Sequence, residues 1–263
     1  MKLTISLGQM DVKTGDVSAN LAAVRAMTTE AARRGSDLVV FPELWPTGYE
    51  LDRAEAHATE TGSGIFATMA SLARKHKIAI SGSALSLLGD GQFGNTAVII
   101  DSQGNSLGEY SKAHLFRLME EDHYLTAGKT LGMIGTAWGM VGLAICYDLR
   151  FPELFRAYAL AGTHTVIIPA EWPNPRMAHW QTLLRARAIE NQMFIIACNR
   201  VGQSGNTTFF GRSCIIDPWG ETIVEAGEQA ILLTADIDID VVDTVRKKIP
   251  VFADRRPDLY EMG

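Results

Sequence analysis

Apolar and polar positions alternate at the start of the chain, where Leu3, Ile5 and Leu7 share one face of a predicted strand. From about Asp16 the spacing lengthens, and Leu21, Val24 and Met27 recur every third residue along a predicted helix. "DLVVF" is a short β-rich run closed by Pro42. "TGSGIFATMASLARKHK" predicts a helix opening near Thr61, and "IAISGSAL" the strand after it. "NTAVIIDSQGNSLGEYSK" and "MIGTAWGMVGLAIC" each read as a hairpin around a glycine-containing turn.

The second half repeats the alternation. "FPELFRAYALAG" predicts a helix with Pro152 in its first turn and Gly162 as its stop. "HTVIIP" is a strand, "AHWQTLLRARAIENQ" a helix and "MFIIACN" a further strand. "RSCIIDPWGETIVEAG" reads as a hairpin and "ILLTADID" as a last strand. No Ser/Pro-rich linker or charge block divides residues 1–263, which predicts one domain of the α/β class with helices covering sheet faces. Strand order does not follow from these patterns.

Composition narrows the function classes. At 47% hydrophobic and 21% charged, the 263 residues suit an ordinary globular chain with a large core and no need of a disulfide or metal staple. The net charge of -6, without a dense Lys/Arg run, argues against a nucleic-acid partner, since phosphate binding needs a basic footprint. No apolar stretch approaches the roughly 18 residues that span a bilayer, so no membrane partner is expected. The N-terminus reads as a strand and not as a signal peptide. Three cysteines, none in a CxxC pair, point to a reducing cytoplasm, and no zinc-ligand spacing is present.

The string "FPEL" occurs twice, at 41–44 and 151–154. The first follows a strand and runs into a loop, which makes Glu43 a candidate for chemistry. The second opens a helix, where Glu153 suits the positive end of the dipole. In "GLAICYDLRFPEL" an apolar run ends at Cys146 and turns at once to Tyr147, Asp148 and Arg150. That strand–turn–helix setting is one in which a nucleophile is displayed. Cys198 in "MFIIACN" and Cys214 in "RSCII" read as core. A thiol with a pKa of about 8.5 needs a base or a positive neighbour. His114 and His179 are both available by residue type, and spacing does not choose between them; His57, His76 and His164 read as surface or satisfied residues.

Taken together, "FPELWPTGY", "YSKAHLF" and "GLAICYDLRFPEL" resemble the carbon–nitrogen hydrolase (nitrilase) superfamily. The likeness continues through "HWQTLLRARAIENQMFIIACNR" and "DPWGE" to "IPVFADRRPDLY", essentially the whole chain. The resemblance implies a four-layer α-β-β-α sandwich and a Glu–Lys–Cys triad, which falls here on Glu43, Lys112 and Cys146. Glu43 would take the thiol proton, and Lys112 and the backbone N–H of Tyr147 would face the tetrahedral oxyanion. The superfamily's second glutamate, counted back from Gly128 in "MEEDHYLTAG", falls on Glu121. No metal or organic cofactor is implied.

Within the superfamily, "AICYDLRFPEL" and "HWQTLLRARAIENQ" are most similar to the ω-amidase branch, which releases ammonia from short α-keto acid amides. Such a substrate carries a carboxylate, for which Arg176 and Arg117 are the candidate partners. Glu171 and Trp172 are expected to line the pocket with Arg176, and Phe116 and Tyr49 to wall it. An aliphatic amidase, an N-carbamoyl amino acid hydrolase or a nitrilase would use the same triad. A catalytically idle scaffold, or a thiol enzyme using His114 or His179, are the readings from other classes. The resemblance also implies a homodimer or higher homo-oligomer, with the segment "VFADRRPDLYEMG" packed on a neighbour.

Overall fold

Residues 1–260 are described by a computed structural model. Fourteen strands build two six-stranded sheets and one hairpin. The first sheet takes β1 (Lys2–Gln9), β2 (Leu38–Val40), β3 (Ala79–Gly89), β4 (Gln92–Ile100) and β5 (Ser106–Ser111) from the first half of the chain. The second takes β6 (Gly132–Thr136), β7 (Gly139–Leu143), β8 (Thr165–Ala170) and β9 (Phe194–Asn199). The hairpin is β10 (Val201–Ser204) with β11 (Thr207–Phe210); β12 (Cys214–Ile216) and β13 (Thr222–Glu225) complete the second sheet. The chain then returns to the first sheet as β14 (Ile231–Asp238).

The orders are β14-β1-β2-β3-β4-β5 and β13-β12-β9-β8-β7-β6. In each sheet three central strands run parallel, β1, β2 and β3 in one and β7, β8 and β9 in the other. Period-two alternation decides which residues enter which layer. Leu38, Val40, Ala97 and Ile99 face the second sheet in one large core. Their neighbours Val39, Val98 and Ile100 face outward to a second core.

That outer core is covered by α1 (Val17–Arg33) and, after the short α2 (Ala54–His57), by α3 (Gly64–His76). Asp16 caps α1 by accepting the Ala19 N–H at 2.9 Å. α3 begins three residues later than the apolar pattern predicts. Ser63 turns back on Glu60 O through its N–H at 2.9 Å and its hydroxyl at 3.2 Å, so 60–63 form a turn ahead of the helix. After the one-turn α4 (Glu121–Tyr124), α5 (Pro152–Leu160) and α6 (Met177–Asn191) cover the other sheet with Phe155, Tyr158, Trp180 and Leu184. The result is the four-layer α-β-β-α arrangement. α7 (Val241–Lys248) and α8 (Pro257–Tyr260) follow the last strand. Part of the expected tail contact, residues 261–263, lies outside the described residues.

Glu43 follows β2, Lys112 follows β5 and Cys146 follows β7, so groups from both sheets gather where the central parallel strands end. Gly128 holds one of these segments in place. Its N–H donates to Lys112 O at 2.9 Å, and a Cβ there would run into the Ser111 carbonyl oxygen. Gly128→Ala should therefore cost about 1–3 kcal/mol through overpacking. A thermal melt should show a fall of about 2–4 °C per kcal/mol; an unchanged Tm would mean the loop shifts freely.

Candidate active site

Cys146 opens a 3-10 turn, Cys146–Arg150, between the end of β7 and the start of α5. Its φ of 44° is in the left-handed region, unusual for a residue with a side chain. Two other site residues have left-handed neighbours: Leu44 (φ 42°) follows Glu43 and Glu120 (φ 58°) precedes Glu121. Such backbone throws the adjoining side chain off the line of its element, here into one buried cluster.

Lys112 is the centre of that cluster, with no solvent exposure. Its ammonium donates to Glu43 Oε1 at 2.7 Å and Glu121 Oε1 at 2.6 Å. Asn95 Nδ2 also donates to Glu43 Oε1, at 2.8 Å. The backbone N–H of Glu171 donates to Glu43 Oε2 at 2.9 Å, and that of Phe116 to Glu121 Oε2 at 2.6 Å. The Tyr49 hydroxyl lies 2.6 Å from Glu121 Oε1 and 3.1 Å from Glu43 Oε1. Both carboxylates are fully buried.

Protonation follows from these contacts. Burial alone pulls the Lys112 pKa down, but the charges of Glu121 and Glu43 more than reverse it, so the group stays an ammonium. Burial pushes the Cys146 thiol well up, and the Glu43 carboxylate adds to this against the opposing pull of Lys112. The resting sulfur is a thiol whose proton must leave as it attacks. Burial also raises Tyr49, keeping the phenol a donor.

The histidine alternatives are placed elsewhere. His114 Nδ1 is 2.7 Å from Asp148 Oδ1, with its ring stacked on Phe151 at 3.6 Å. His179 Nδ1 is 3.3 Å from Arg150 Nη2. Cys198 and Cys214 are fully enclosed, their thiols raised by burial. Glu153 is exposed in the first turn of α5.

A small cavity at Cys146 is lined by Phe116, Tyr147, Arg150, Trp172, Pro173 and Arg176, with only about 10 Å³ free. That is room for about one water. Arg150 is the residue that sequence reading missed: its guanidinium stacks on Trp172 at 4.8 Å. Arg176 sits over Phe116 at 5.7 Å. Arg117 does not reach this cavity. Its side chain is 87% exposed, 3.9 Å from Asp122, and lines an outer hollow of about 530 Å³. Phe116 and Tyr147 border both spaces.

Glu171 is corrected as well. It is 1% exposed and absent from the cavity wall, because Arg200 Nη1 draws its Oε2 away at 3.2 Å. Its other oxygen, Oε1, is buried without a hydrogen-bond partner. Tyr49 likewise sits behind the cavity, on the two glutamates. Among the described residues no cluster of three or more His, Cys, Asp or Glu is arranged to hold a metal ion. No helix there is long and apolar enough to cross a membrane.

A thiol beside a carboxylate and an ammonium, with both imidazoles turned to other partners, is the arrangement that acyl transfer of the Glu–Lys–Cys kind would use. Residues 4–247 match the carbon-nitrogen hydrolase family, and the chain belongs to it. A 2-oxoglutaramate amidase of Bacillus subtilis is 40% identical over 99% of this chain and 100% of its own length. A carbon–nitrogen hydrolase of Xanthomonas campestris, solved with an arsenic adduct in its active site, superposes with a TM-score of 0.91 at 30% identity over 100% of both chains. An amidase of Nesterenkonia sp. AN1, solved with the acetamide moiety of fluoroacetamide added to its active-site cysteine, gives 0.86 at 26% identity, covering 98% of this chain and 95% of that one. The protein is a cysteine-dependent amidase, a hydrolase acting on carbon–nitrogen bonds.

Burial raises the Glu171 carboxyl from 4.5 to about 8, against the pull of Arg200. The fold therefore binds this proton more tightly than the unfolded chain does, and stability is lost as pH rises from about 4.5 through about 8. Glu171→Gln removes that loss. The Tm of the variant should gain on wild type across that interval, read by melts from acid to alkaline buffer; parallel Tm curves would contradict the assignment.

Proposed function

We propose that the chain is an ω-amidase that hydrolyses short α-keto acid amides to the keto acid and ammonia. The observation that carries this is the pair of guanidinium groups, Arg150 and Arg176, on the wall of the cavity that holds Cys146. Both rest on aromatic faces and neither is neutralised by that contact, so a substrate carboxylate is the group that suits them. The 2-oxoglutaramate amidase relative supports the same substrate class.

In the proposed cycle Cys146 Sγ attacks the amide carbon as Glu43 takes the thiol proton. Lys112 spends two of its three N–H donors on Glu43 and Glu121, leaving the third for the oxyanion with the Tyr147 backbone N–H. Collapse of the tetrahedral intermediate breaks the C–N bond, and Glu43 returns the proton to the departing nitrogen as ammonia. The thioester is then attacked by water that has passed its proton to Glu43, which releases the acid and restores the thiol. Glu121 orients the ammonium throughout. Trp172 and Phe116 flank the acyl chain. No cofactor enters any step of this cycle.

We infer a single domain and a cytoplasmic home, the latter supported by three free thiols. A homodimer or larger assembly is supported by exposed apolar residues after α7: Ile249 at 47%, Leu259 at 69% and Tyr260 at 52%. Deleting residues 250–263 should shift sedimentation toward a smaller species, and unchanged sedimentation rejects that contact.

Ammonia release should be measured from α-ketoglutaramate, α-ketosuccinamate, glutamine, aliphatic amides, a carbamoyl amino acid and a nitrile. Selective turnover of the keto acid amides, abolished in Cys146→Ala, is expected. Arg150→Ala and Arg176→Ala should each raise KM for those substrates about 10- to 100-fold, the worth of a charged hydrogen bond. Turnover of neutral amides alone would keep the thiol chemistry and discard the carboxylate pocket.

A further inference from the structure

The residue two places after Cys146 takes no part in the cycle above. Asp148 has no solvent exposure and does not line the Cys146 cavity. Its carboxylate collects four donors. Oδ2 accepts from the Tyr110 hydroxyl at 2.9 Å and from the Ile145 N–H at 2.9 Å. Oδ1 accepts from the His114 N–H at 3.0 Å and lies 2.7 Å from His114 Nδ1. Four acceptor sites are what a carboxylate has, so the group is saturated.

The donors bracket the two residues that matter. Tyr110 and His114 stand two places before and two places after Lys112, on the first sheet's edge segment. Ile145 and Asp148 stand on either side of Cys146, on the second sheet's turn. Two further contacts stiffen the arrangement: the Tyr110 hydroxyl accepts the Ala113 N–H at 3.1 Å, and the His114 ring stacks on Phe151. The link joins segments 34–38 residues apart in sequence. It also closes the turn that keeps Cys146 in its left-handed conformation.

We propose that Asp148 is a positioning residue that locks the Lys112 segment to the Cys146 turn and so sets where the ammonium stands relative to sulfur. The assignment rests on the Glu–Lys–Cys reading and adds to it the part that fixes its geometry. It also gives His114 a role other than that of a base: its ring N–H is one of the four donors.

The test is Asp148→Asn, with Tyr110→Phe and Cys146→Ala alongside. The amide has one acceptor oxygen and turns an NH₂ toward two donors, one of them a backbone N–H that cannot accept, so at least one of the four bonds is lost and another must reverse. Misplacement of a reacting group by about 1 Å lowers rate about 10²-fold. Asp148→Asn should therefore lose about that much in kcat, with KM within about threefold, measured per folded molecule from active-site titration. Tyr110→Phe removes one bond and should lose about fivefold in kcat. Slower alkylation of Cys146 by iodoacetamide should follow the same order. A role in stability alone would lower Tm and leave kcat per folded molecule intact, which overturns the proposal. If Asp148→Asn does not fold, Tyr110→Phe decides, and a folded variant with wild-type kcat overturns it. Turnover surviving in Cys146→Ala defeats the triad reading itself, whereas a dead Cys146→Ala beside a fully active Asp148→Asn defeats only the role of Asp148.

Discussion

A buried ammonium cannot be left without counter-charge, and Lys112 is fully buried. Stripping a charge of water costs several kcal/mol even after relaxation, and removing one partner of a buried pair typically costs about 3–5 kcal/mol. Lys112 meets that constraint with two carboxylates, and each of those in turn needs its remaining lone pairs filled. Asn95, Tyr49 and the backbone N–H groups of Glu171 and Phe116 fill them. Much of the local architecture is thus a consequence of one amine. β4 supplies Asn95, the loop after β2 supplies Tyr49, and the end of β8 supplies the Glu171 N–H.

The groups come from different sheets, so packing between the sheets sets catalytic distance. Glu43 and Lys112 belong to the first sheet and Cys146 to the second. Hydrophobic contact in the shared core resists separation but does not by itself resist sliding, since it is not directional. Directional ties do. Asp148 joins the β5 end to the β7 end. Arg200, also fully buried, joins the ends of β1, β8 and β9, donating to Val12 O at 2.5 Å and to Glu171 Oε2 at 3.2 Å. Both ties cross from one sheet to the other.

Strand periodicity was readable because both sheets have a clean inner and outer face. The hairpins at β4–β5, β6–β7 and β12–β13 pair antiparallel as their turn residues imply. The β10–β11 hairpin is not legible in the sequence: "VGQSGNTTFF" has too little apolar alternation to mark a strand. α7 was missed for a similar reason, having only Val242 and Val245 buried. At the site, three motifs in order point to the Glu43, Lys112 and Cys146 segments, which the fold brings together. Side-chain direction was not legible. Glu171 stands beside Trp172 in sequence, yet Arg200, 29 residues on, turns it away from the cavity. Arg150 carries no sequence signal of its own, because what brings it to the cavity is a stack on Trp172, a contact that no local spacing encodes.

The three left-handed residues at the site, Leu44, Glu120 and Cys146, each hold a conformation that costs of order 1–3 kcal/mol. Glycine at the exposed Glu120 would relieve that strain and slacken the backbone beside Glu121, whereas Leu44 is fully buried and would leave a cavity, and Cys146 cannot be exchanged without losing sulfur. Thermal robustness and turnover are thereby set against each other at fixed addresses in the chain. Gains in heat tolerance that leave turnover intact therefore have to be sought away from these three positions.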